Sequence, residues 1–92
     1  MTHEEKYDQA RARFQTAQEK VRATPPPVSQ KFPPGSRVRI SPESDWYPGE
    51  LATVEYTYGH AYGGDNVRDY SLFVDRRGSS SWFDEDLLTL AN

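Results

Sequence analysis

Side-chain catalysis needs a nucleophile, an acid/base pair or a cluster of metal ligands at compatible spacing, and this 92-residue chain offers few of these. It contains no cysteine, which removes disulfides, thiolate chemistry and Cys-based zinc sites. Its two histidines are His3, in a polar N-terminal stretch, and His60, in the Gly-rich run 59–66. His60 with Asp65 and Asp69 is a formal set of cation ligands, but their spacing matches no metal motif. A loop histidine with nothing to orient it is expected to be solvated. The same run has neither the GxGxxG spacing of a dinucleotide site nor the lysine of a P-loop. These residues predict no enzyme, no cofactor and no metal.

Binding chemistry is better represented. Trp82 and Phe83 run directly into the acidic turn Asp84, Glu85 and Asp86, and Trp46 and Tyr47 are flanked by Glu43 and Asp45. Aromatic anchors supply affinity and carboxylates steer a basic partner, so these eight positions, Phe83 apart, form the expected partner-binding groove. The competing expectations are that the acidic turn merely opens a 3₁₀ segment, where negative charge suits the helix dipole, and that either tryptophan is core. Arg37, Arg39, Arg76 and Arg77 make a contrary case for stacking on single-stranded nucleic acid.

Charge decides against that alternative. The net charge is −3, and the pI near 5.3 is far from the basic footprint of a nucleic-acid binder. Residues 1–24 hold five basic and four acidic side chains, whereas 25–92 hold six and ten. No apolar run approaches the ~20 residues of a membrane span, and the start MTHEEKYDQA has no apolar signal-peptide core. A cytoplasmic protein is the expectation. Hydrophobic residues are only 35%, yet aromatics reach 13%, which argues against wholesale disorder.

The elements that must position these groups fall into three segments. Residues 1–24 read as a helical arm: Thr2 and Glu5 make a capping box, and Pro25 ends the helix. Tyr7, Ala10, Phe14, Ala17 and Val21 recur at spacings of 3, 4, 3 and 4. That narrow stripe is expected either to dock on the chain's own domain or, through Tyr7, Phe14 and Val21, to pair with a second copy or a partner helix. Residues 25–35, with five prolines, read as an extended spacer. Residues 36–92 alternate as strands: 36–40, 51–58 with Ala52, Val54, Tyr56 and Tyr58 on one face, 70–75, 80–83 and 88–90. Turns fall at 41–50, 59–69 and 76–79, with a 3₁₀ segment at 84–87. In under 60 residues this predicts a small closed β-barrel.

That order of elements resembles an SH3-like small barrel, through the GSRVRI first strand, a long irregular loop, the ATV strand and a Trp-Phe strand feeding a short turn. Residues 52–90, with YTY, AYGG, YSLFVD, the Trp-aromatic-acidic segment and a final LT, resemble a group of small bacterial proteins without an assigned activity. The resemblance implies the fold and no reaction. Residues 35–54 are also similar to the opening of photosystem I reaction-centre subunit IV, through Gly35, Arg37 to Ile40, Pro42 to Ser44, Trp46, Thr53 and Val54. The later hairpins and the arm depart from that family. Plasmid-type dihydrofolate reductase shares the barrel, but its Gln-Ile-Tyr strand is replaced here by residues 80–83, SSWF. The reading is a mainly β, five-stranded SH3-like barrel behind a helix and a Pro-rich linker. It would act as a non-enzymatic interaction module for a protein with a basic face. A nucleic-acid-binding barrel and an enzyme with an intersubunit site are the rival classes.

Overall fold

The computed structural model describes residues 17–91. Residues 17–23 are helical (α1). Five strands follow: β1 (Arg37–Ile40), β2 (Leu51–Thr57), β3 (Asp69–Val74), β4 (Ser79–Asp84) and β5 (Leu88–Leu90). A short helix α2 (Tyr58–Tyr62) follows β2, and a 3₁₀ turn η1 (Glu85–Leu87) separates β4 from β5. All pairings are antiparallel, in one sheet of order β4-β3-β2-β1-β5.

The three residues of η1 carry the chain from one edge of this sheet to the other. In a flat sheet those edges lie about 19 Å apart, at ~4.8 Å per strand, whereas three 3₁₀ residues advance only about 6 Å. The sheet must therefore roll. The turn is tied at both ends, by Glu85 N donating to Arg68 O and Ser41 N to Leu87 O, each at 2.7 Å. The closed barrel expected from the sequence is nevertheless not formed: β4 and β5 remain the two edges, with no ladder joining them among the described residues. β5 is only three residues long and spends its pairing on β1.

Alternation fills the concave face as expected, with Val38, Ile40, Ala52, Val54, Tyr70, Leu72, Val74, Phe83 and Leu88 in one buried cluster. β2 departs from the expectation. Val54 pairs with Leu72, but Tyr56 pairs with Ser71, so a bulge at Glu55 shifts the register by one. Because strand side chains alternate faces, that slip sends Tyr56 to the convex face and Thr57 inward. There Tyr56 joins Ala17 and Ala61 in a second buried cluster, with Val21 packed against it. Tyr56 therefore does not share the face of Ala52 and Val54.

The spacer also proves to be partly core. Phe32 is 1% exposed and packs edge-on against Tyr70, with centroids 5.6 Å apart. The Tyr70 hydroxyl accepts from the amides of Lys31 (2.9 Å) and Phe32 (3.2 Å), and lies 3.4 Å from Glu85 Oε2, to which it donates. One phenol thus holds the incoming chain and η1 together. The folded unit begins before Ser36, because Phe32, ahead of two prolines, is buried in the same cluster as the strand residues. Phe32→Ala should lower the unfolding free energy by about 3–5 kcal/mol, the range for removing a buried ring, as read from urea titration. A spacer residue would cost nothing.

Candidate functional site

The loop 41–50 is ordered by its own side chains. Ser44 is buried, and its hydroxyl donates to Trp46 O (2.8 Å) and accepts from Trp46 N (3.2 Å). Gly49, at φ +74°, lets the loop turn back so that its amide reaches Ile40 O at 2.9 Å. Tyr47 has φ +49°, and among the described residues it is the only one besides glycine at positive φ. A non-glycine residue there costs of order 1–2 kcal/mol, so surrounding contacts must hold it. Tyr47 packs against Phe83 at 6.3 Å and lies under the Arg77 guanidinium at 5.2 Å.

This conformation lifts the Trp46 side chain into solvent, at 71% exposure. Trp46, Tyr47, Ser81, Trp82 and Phe83 line one cleft of about 310 Å³ beside the β4 edge. The three aromatic anchors expected from the sequence are brought together, and neither tryptophan is core. The carboxylates are not gathered with them. Arg68 pairs with Asp84 (3.4 Å) and Asp86 (2.9 Å), and Asp84 Oδ1 accepts from Asp86 N (2.9 Å) as the cap of η1. Glu85 meets the Tyr70 hydroxyl. None of these three lines the cleft. Glu43 and Asp45 are exposed on the loop and make no ion pair among the described residues.

On the convex side, Trp82 meets three tyrosines: Tyr56 at 5.8 Å, Tyr58 at 5.9 Å and Tyr62 at 6.5 Å, while Tyr58 and Tyr62 lie 4.8 Å apart. Tyr58 and Tyr62 belong to α2, so Tyr58 is not the last residue of the strand expected over 51–58, and Tyr62 lies on a helix where the sequence suggested only a glycine-rich connection. The helix forms because Thr57 Oγ1 accepts from His60 N (3.1 Å) as its N-cap. Gly59 is required there, since a Cβ would come within 2.7 Å of Asn66 O. A threonine three residues ahead of His60, and tyrosines four apart, were the available signals.

His60 is not solvated. It is 3% exposed, and its Nε2 lies 2.7 Å from Thr24 O. A carbonyl can only accept, so Nε2 carries the proton and clasps the end of α1. Nδ1 is buried without a partner. The envisaged cation set does not converge: Asp69 accepts from Asn66 Nδ2 (2.7 Å), and no three His, Asp or Glu side chains gather around one point among the described residues. Two of the four arginines pair with carboxylates. Arg37 makes a two-point pair with Asp75 (2.9 and 2.6 Å), which holds that carboxyl below its usual range, and Arg76 pairs with Glu50 at 3.3 Å. Arg39 donates to Gly49 O. Of the helix stripe, Val21 packs on its own chain, while Tyr7 and Phe14 lie outside the described residues.

No protein-family model, curated protein or solved structure matches this chain. No described helix is long and apolar enough to cross a membrane.

Burial pushes the Tyr56 hydroxyl up to about 12 from an ordinary value of 10.0, with the neighbouring Ser71 hydroxyl pulling it the other way, although Tyr56 Oη makes no hydrogen bond of good geometry. A folded-state value above the unfolded one gives stability that is complete below pH 10 and lost as the pH climbs towards 12. Tyr56→Phe should flatten that alkaline decline in urea midpoint and leave the neutral-pH midpoint unchanged or slightly higher. A midpoint that drops at neutral pH would show the hydroxyl to be bonded.

Proposed function

We propose that the chain is a non-enzymatic protein-interaction module, an SH3-like small barrel that docks a partner in the Trp46–Tyr47–Trp82 cleft. The strand order, with a 3₁₀ turn between the last two strands, supports that architecture. The observation that carries the function is the 41–50 loop. It holds Tyr47 in a left-handed conformation while presenting Trp46 to solvent. Strain retained beside an exposed aromatic points to selection for binding rather than for stability. Since Arg68 already compensates Asp84 and Asp86, selectivity for a basic partner falls to Glu43 and Asp45. The commitment of Arg37, Arg39 and Arg76 to internal acceptors weighs against nucleic acid. A cytoplasmic location fits a cysteine-free chain.

The test is a titration with short peptides in which Lys or Arg flanks an apolar residue, followed by tryptophan emission. The wild-type chain should show a saturable change that weakens with salt, and Trp46→Ala should abolish it while leaving the unfolding free energy within about 0.5 kcal/mol, as for an exposed side chain. Glu43→Gln with Asp45→Asn should weaken binding severalfold. A peptide set that produces no saturable change in wild type would remove the assignment.

A further inference from the structure

β4 forms one edge of the sheet, and a single hydrogen bond shows which of its main-chain groups face outward. Glu85 N donates to Arg68 O at 2.7 Å, and the β3–β4 pairing keeps one register from Asp69↔Asp84 to Val74↔Ser79, without a bulge. Main-chain N–H and C=O groups of successive strand residues point to opposite sides, so Phe83 and Ser81, like Glu85, address β3. Ser80 and Trp82 therefore aim theirs away from the sheet. Among the described residues, those groups find no hydrogen-bond partner.

An open row of main-chain donors and acceptors is complemented by another extended strand, and the charges at its ends say which. Arg76 and Arg77 precede β4, Asp84, Glu85 and Asp86 close it, and residues 78–83 carry no charge. The acidic end keeps an excess, because Arg68 alone pairs with it among the described residues. At the basic end, Arg77 lies over Tyr47 and makes no ion pair among the described residues, while the exposed Arg76 meets Glu50 at 3.3 Å. A basic strand laid along this edge would be attracted at one end and repelled at the other. A second β4 running antiparallel brings opposite charges together at both ends.

We propose that β4 pairs antiparallel with β4 of a second copy, about a twofold axis at Ser81. Outward-facing residues must oppose one another in such a pair, and an axis at Ser81 sets Ser80 of each copy against Trp82 of the other, each such pair exchanging both of its main-chain hydrogen bonds. The small serine leaves room beside the indole, and the Ser81 residues meet at the closer, non-hydrogen-bonded position. The Arg76–Arg77 turn of each copy comes alongside Glu85 and Asp86 of the other. The contact is isologous and closes on itself, so it uses up the β4 edge of both copies. It goes beyond the cleft reading, since it rests on the β4 main chain and the charges at its ends, whatever the cleft binds.

Sedimentation equilibrium on the full chain should give a mass that climbs from 10.5 kDa towards twice that value as concentration rises, with the association weakened by salt. Ser80→Pro removes only an outward N–H, which an edge strand tolerates, and should weaken association about tenfold or more. Arg76→Asp should weaken it severalfold, and adding Asp86→Arg should restore it, because the two positions face each other across the pair. Hydrogen exchange on the wild-type chain needs no variant: the Ser80 and Trp82 amides should slow as concentration rises, while those of Ser81 and Phe83, already turned to β3, should not change. A mass of 10.5 kDa at every concentration, or Ser80 and Trp82 amides whose exchange ignores concentration, overturns the proposal. So does an association untouched by Ser80→Pro, or a charge swap that fails to restore it.

Discussion

Three residues of 3₁₀ turn must join the two outermost strands, and the rest of the molecule follows from that shortfall in length. Five strands cannot lie flat when their edges are bridged by Glu85–Leu87, so the sheet rolls. The concave face then becomes small enough for one layer of Val, Ile, Leu and aromatic side chains to fill. Phe32, from the proline-rich segment, joins that layer. Tyr70 records the same constraint in one hydroxyl, since it accepts from the backbone at 31–32 and donates to Glu85.

The bulge at Glu55 is the second organising feature. By moving Tyr56 to the convex side it gives the sheet two apolar faces, each with its own cluster. The convex cluster needs a cover, which α1 and α2 provide. His60, clasping the carbonyl of Thr24, fixes where α1 ends. The arm is thereby part of the folded unit from Ala17 onward, and the prolines between Thr24 and Phe32 form a strap between two anchored points.

Much of this was legible in the residues. Alternation placed Val38, Ile40, Ala52, Val54, Leu72 and Val74 on one face, and the strand order along the chain followed from the turns. Trp46, Tyr47 and Trp82 were also legible as a group. What alternation cannot carry is a change of phase, so Tyr56 was expected with Val54. The bulge brings Glu55 to Ser71, whose hydroxyl donates to Glu55 Oε1 at 2.9 Å, a contact between strands that the pattern of one strand does not display. Phe32 and His60 were hidden for a related reason. Each sits in a stretch whose composition reads as loop, and each is buried by contacts from 36 or more residues away in sequence. The acidic turn was recognised as charge, but its neutralisation depends on Arg68, sixteen residues from Asp84.

The β4 edge has a consequence of its own. Its sequence, SSSWFD, contains no lysine, proline or bulge, the devices that usually keep a strand edge from templating another. Curvature limits open-ended growth here, because η1 keeps the β4 and β5 edges bent and close together. Melting of this one short turn would release both edges in the same event. An opening of that turn exposes the backbone of two strand edges at once, the kind of edge from which cross-β growth starts.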